Sequence, residues 1–86
     1  MTQLNARWTL EYDSDVTRYL YTLRETGNDV RKAIRSLSQG IPSDARQIQD
    51  DPETWEWLEA RHWITLIVDQ SRKWIYISDV TSATID

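Results

Sequence analysis

Residues 55–80 limit the possible folds of this chain more than any other segment. They run Trp55-Glu-Trp-Leu-Glu-Ala-Arg-His-Trp63-Ile-Thr-Leu-Ile-Val-Asp69, then a short turn, then Lys73-Trp-Ile-Tyr-Ile-Ser-Asp-Val80. Four of the five tryptophans lie here. The period is two, and the segments are short and rich in β-branched and aromatic residues, so three strands are expected at roughly 54–60, 62–69 and 73–80. Asp69-Gln-Ser-Arg72 joins the last two as a hairpin.

Both faces of these strands carry large apolar groups. Alternation puts Ile64, Leu66, Val68, Ile75 and Ile77 on one face, with Trp55 and Trp57 joining them, as the natural core. The opposite face then holds Glu56, Leu58, Trp63, Thr65, Ile67, Trp74, Tyr76 and Ser78, one carboxylate and no cation.

Upstream, Arg7-Trp-Thr-Leu-Glu-Tyr12 also alternates, with Trp8, Leu10 and Tyr12 on one side, and reads as a half-buried strand. Asp13-Ser14 is a helix N-cap signal, and Val16, Tyr19, Leu20 and Leu23 follow at helical spacing. Gly27 fits a left-handed stop at the end of that helix. Asn28 or Asp29 can cap a second helix whose apolar stripe is Val30, Ala33, Ile34 and Leu37, with Arg31, Lys32, Arg35 and Ser36 opposite as a solvated face. Gly40-Ile41-Pro42 stops it. Residues 43–54 are polar, with Asp50-Asp51-Pro52 as a loop signal; Ser43 can cap a single helical turn through Ala45 and Ile48. Thr81 to Asp86 read as a loose end.

The expected order is strand, helix, helix, strand, strand, strand. This is an α+β domain spanning residues 1–86, with two helices on one face of a four-stranded, mainly antiparallel sheet.

Composition narrows the function classes. The chain has 86 residues, no cysteine and a formal net charge of −4, so disulfides and thiolate metal sites are excluded. Residues 1–43 carry six basic and five acidic side chains, and residues 44–86 four basic and nine acidic. The half bearing the aromatic strands thus has the wrong sign for phosphate neutralisation, which supplies most nucleic-acid affinity. The Met1 segment opens no basic-then-apolar signal, and no run of about 18 apolar residues can span a bilayer. The expected location is the cytoplasm, with no membrane association. The only glycines, Gly27 and Gly40, sit at helix ends, so no glycine loop cradles phosphate. Asp50, Asp51, Glu53 and Glu56 lack the spacing and glycine of a calcium loop. No metal or cofactor is implied.

With these signals, the element order resembles the RelE/ParE superfamily of type II toxin–antitoxin toxins over nearly the whole chain. The resemblance is best at Ala45-Arg-Gln-Ile48 followed by Trp55-Glu56 and a tight hairpin. It is similar to the HigB-like branch, with its Ala-x-x-Leu turn before a Trp-Glu-Leu-Arg strand. The alternation of Ile64, Leu66 and Val68, closing on Val68-Asp69, fits as well. The resemblance implies the spatial strand order 1-4-3-2 and a toxin that cuts mRNA on the ribosome or, in the ParE branch, acts on gyrase. The family's RNA chemistry uses basic residues on an open sheet face and at the C-terminus. Here Leu58 stands where the Trp-Glu-Leu-Arg strand has arginine, and Trp63 where the next strand usually carries one. Thr81-Ser-Ala-Thr-Ile-Asp86 replaces a tail that often contains His-Arg or Tyr.

These departures imply a divergent member that keeps the fold, lacks the ribonuclease and binds a protein through Leu58, Trp63, Ile67, Trp74 and Tyr76. The partner would be an antitoxin, another protein or a second copy. Contiguous apolar patches on small proteins mark interaction sites, and Trp and Tyr are enriched at binding hot spots. Two other readings of this face stay open: packing under the long loop or the C-terminal tail, and stacking on single-stranded RNA bases. The alternative function is an active, ribosome-dependent, metal-independent mRNA endonuclease. Its candidate catalytic residues are Arg61, supplying charge, and His62, supplying a base or acid. The plain reading of that pair is a polar strand end facing water, with His62 directed to the core side.

Overall fold

A computed structural model describes residues 7–83. The expectations for Met1–Ala6 and for Thr84–Asp86 lie outside the described residues. The chain folds as an α+β structure: β1 (Thr9–Tyr12), α1 (Ser14–Thr22), a 3-10 turn (Arg24–Gly27), α2 (Asn28–Arg35), a second 3-10 turn (Ser36–Gln39), β2 (Arg46–Ile48), β3 (Asp51–Glu59), β4 (His62–Asp69) and β5 (Trp74–Ser82). The sheet is five-stranded in the order β1-β5-β4-β3-β2, with β1 parallel to β5 and every other pair antiparallel.

The count of four strands is therefore corrected to five. Residues 46–48 form an edge strand in place of the expected helical turn. Arg46 and Gln47 pair with Glu56 and Trp55, and a register shift precedes Ile48. Hairpin pairing to a long partner strand overrides the helical spacing of Ala45 and Ile48, and the Gln47 side-chain amide donates to the Pro52 carbonyl at 2.6 Å. Without this added edge strand, the order of the four expected strands is first, last, third, second.

Asp13 caps α1 by accepting from the Asp15 amide at 2.9 Å. Val16 and Leu20 of α1 and Val30, Ile34 and Leu37 of the α2 region form one buried cluster with Trp57, Ile64, Leu66, Val68, Ile75, Ile77 and Val80. Trp8, Leu10, Ile41 and Trp55 pack against it, partly buried.

Gly27 corrects an expectation. Its φ is −94°, so it is not a left-handed stop, and it occupies the N-cap of α2 where Asn28 or Asp29 was expected. Space explains the glycine: a Cβ there would lie 2.7 Å from the Leu23 Cβ and from the Arg31 guanidinium. The positive φ falls instead on Arg24. Gly40 does adopt positive φ, 129°, and lets Ile41 fold back onto the core.

Two turns set the sheet register. Ala60 and Arg61, with φ of 52° and 64°, form a two-residue turn between β3 and β4, the mirror-image geometry that suits hairpin twist. Between β4 and β5, Asp69 accepts from the Ser71 hydroxyl at 2.7 Å and the Arg72 amide at 3.2 Å. These bonds hold its carboxyl below the usual range. In β5, Thr65 faces Asp79 while Leu66 faces Ile77, so Ser78 is an extra residue in a bulge. The bulge resets alternation and brings Val80 back to the buried face. Thr81 and Ser82, expected to be loose, extend β5 by pairing with Trp63 and His62.

Candidate functional site

The face of the sheet away from the helices holds the predicted binding residues. Register places them in rows: Leu58 opposite Trp63, which in turn faces Thr81; Glu56 beside Thr65 and Asp79; Thr54 beside Ile67 and Tyr76; and Asp69 beside Trp74. Leu58 and Trp63 are 49% and 46% exposed, whereas Ile67, Trp74 and Tyr76 are half-buried.

The five residues do not make one continuous apolar surface. Leu58 and Trp63 stand at the end nearest the Ala60-Arg61 turn. Ile67, Trp74 and Tyr76 stand towards the other end. Between them runs a polar row. β2 adds Arg46 to this row, as the partner of Glu56. The bulge adds Asp79, and Glu11 of β1 joins the face as the partner of Tyr76. Alternation alone gives this face one carboxylate and no cation; it holds several carboxylates and one arginine.

The second patch is partly self-satisfied. Trp74 and Tyr76 stack with ring centroids 6.0 Å apart. The Tyr76 hydroxyl donates to Asp13 at 2.8 Å. That bond, with the Asp15 amide, holds the Asp13 carboxyl below its ordinary value, and it raises the Tyr76 hydroxyl above its own. One carboxylate thus caps α1 and ties down the open-face tyrosine. By contrast, Trp63 has no ring partner among the described residues.

Arg61 and His62 are adjacent in sequence but separated in space. Arg61 is exposed in the turn. His62 is buried on the helix-covered face, 8% exposed. Its Nε2 lies 2.9 Å from the Tyr19 hydroxyl, and its Nδ1 lies 2.8 Å from the Ala60 carbonyl. A carbonyl only accepts, so Nδ1 carries a proton; in the neutral ring, Nε2 accepts from Tyr19. Both nitrogens are thus engaged in structural bonds. The Tyr19 and His62 rings also meet edge to face, with centroids 5.7 Å apart. Helical spacing had marked Tyr19 as apolar stripe; its hydroxyl partner, 43 positions away, left no local signal.

Elsewhere, Trp57 Nε1 donates to Asp44 at 3.0 Å, while Trp55 Nε1 is the one buried side-chain polar atom without a partner among the described residues. Among those residues no group of three His, Asp or Glu side chains is placed to hold a metal ion, and no helix is long and apolar enough to cross a membrane. No protein-family model matches this chain, and neither a curated protein nor a solved structure shows significant similarity to it.

Proposed function

We propose that this chain is a RelE/ParE-like binding module without ribonuclease activity, which engages a protein partner through the Leu58–Trp63 end of its open sheet face. The observation that carries the reading is this cross-strand pair. Two large apolar side chains, each about half exposed, stand where the resemblance calls for arginines. A tryptophan anchored on a strand loses little conformational freedom on binding and offers a large contact area. The four strands expected from the sequence lie in the order 1-4-3-2 that the resemblance implies, beside an additional edge strand. Protein binding is favoured over mRNA cleavage by two features. His62 has no free ring nitrogen, and carboxylates outnumber cations on the open face, which weakens phosphate binding.

The test combines induction of the protein in its native host with affinity recovery of partners and light scattering of the purified chain. No growth arrest is expected, together with a stoichiometric partner or a self-associated form that Trp63→Ala removes while the fold is retained. A strict monomer whose partner recovery is unchanged in Trp63→Ala overturns the binding reading. Growth arrest abolished by Arg61→Ala or His62→Ala in folded protein would instead establish the nuclease.

A further inference from the structure

A concavity lies on the helix side of the molecule, between α1 and α2. It has a volume of about 670 Å³ and is lined by Tyr12, Thr17, Leu20, Tyr21, Arg24, Arg31, Ile34 and Arg35. Three arginines and no carboxylate line it, in a chain whose net charge is −4. Among the described residues the only ion pairs are Arg18–Asp15 and Arg72–Asp69, so none of the three cavity arginines is in an ion pair.

Arg31 is fixed in place. Its guanidinium donates to the Leu20 carbonyl, the Arg24 carbonyl and the Asn28 side chain, which leaves part of its five-donor fork unspent. Capping the end of α1 accounts for Arg31 but not for Arg24 and Arg35, which are exposed and form no such bonds among the described residues. Arg35 acts on the neighbouring Tyr12 hydroxyl, whose ionisation burial otherwise disfavours. Apolar floor comes from Leu20 and Ile34. Tyr21 supplies an aromatic rim at 82% exposure.

We propose that this cavity binds a small aromatic phosphate monoester, of the size of a nucleoside monophosphate. The volume falls within the usual range for small-molecule sites. Several guanidinium groups suit a dianion with three terminal oxygens better than a single carboxylate. The tyrosines offer faces on which a planar ring can stack. The cavity shares no lining residue with the open sheet face.

Titration with adenosine monophosphate, followed by amide chemical shifts, tests it. Shifts are expected at Thr17, Tyr21, Arg24 and Arg35. Adenosine and inorganic phosphate should each bind at least about tenfold more weakly, since each supplies half of the recognition. The R24E/R35E variant, which leaves the capping Arg31 intact, should abolish the shifts while keeping the dispersed spectrum of a folded protein; R35Q, should the double variant fail to fold, should weaken binding several-fold. The proposal is overturned by an absence of shifts with adenosine monophosphate, by phosphate alone binding as tightly, by shifts that map to the open sheet face, or by binding that survives removal of Arg24 and Arg35.

Discussion

Trp57 and Trp63 lie on neighbouring strands, yet one is 5% exposed and the other 46%. The difference lies in what stands above each face of the sheet. On the helix side, Trp57 belongs to the buried cluster, and its indole N–H donates to Asp44. On the other side, Trp63 has a leucine opposite it, a polar row beyond and, among the described residues, no covering element. Apolar character alone therefore does not determine burial in this sheet. On the covered face His62 is bonded at both nitrogens and Trp57 at its indole N–H, and Trp55 Nε1 alone lacks a partner among the described residues. The open face keeps its most exposed apolar pair unsatisfied.

The sharpest way to break this contrast is to truncate one residue from each face. Leu66→Ala removes a fully buried side chain and should cost about 2–5 kcal/mol in urea denaturation, enough to unfold much of a small domain. Trp63→Ala should cost under about 1 kcal/mol; a loss as large as that of Leu66→Ala would mean that the open face is a second core.

Next in size is the buried histidine. Tyr19→Phe leaves Nε2 without its partner and should cost about 1–3 kcal/mol, measured by the same denaturation. A fully stable Tyr19→Phe protein would contradict a structural role for His62.

Asp13 links the two faces, and pH probes it. Its carboxyl is held low in the folded state, so its contribution is full above the ordinary aspartate range and lost as pH falls through the folded value. Tyr76 is raised by the same bond, so its share is present below the ordinary tyrosine range and lost as pH rises through the raised value. Asp13→Ala should therefore lower Tm at neutral pH, with the gap to wild type closing in acid. A gap independent of pH down to strongly acid conditions would argue against the capping and tyrosine bonds.

The smallest expected effect is stabilising. Ala60 and Arg61 hold left-handed geometry without being Gly or Asn. Ala60→Asn with Arg61→Gly should raise stability by about 1 kcal/mol and leave Trp63 on the open face. Lower stability would show that the turn is held by contacts other than its own backbone.

Much of this contrast was legible in the sequence. Strict alternation from Ile64 to Val68 and from Ile75 to Ile77 assigned the core face, and Asp13-Ser14 and Gly40-Ile41 marked the ends of helices. What failed did so for physical reasons. Arg46-Gln-Ile48 is too short and polar to show a period of two, so the fifth strand was hidden, and with it the arginine that enters the open face. The bulge at Ser78 breaks parity without a glycine to announce it. Arg31 looked like a solvated residue because its carbonyl partners belong to α1 and to the 3-10 turn after it. Parity gave Leu58, Trp63, Ile67, Trp74 and Tyr76 one face, with Glu56 and Thr65 among them, but the charges that complete the polar row, Arg46 and Asp79, come from the hidden strand and the bulge.

The parallel pairing of β1 with β5 joins Thr9 to Trp74 and Tyr12 to Ile77, almost the full span of the described chain. The three antiparallel hairpins from β2 to β5 can zip from their turns, but this last pairing must wait until the helices and the meander have been brought round. Such long-range closure slows folding. Until β1 arrives, the β5 edge carrying Trp74 and Tyr76 has an unpaired backbone. The time the chain spends in that state on leaving the ribosome is the interval in which it can pair with another chain.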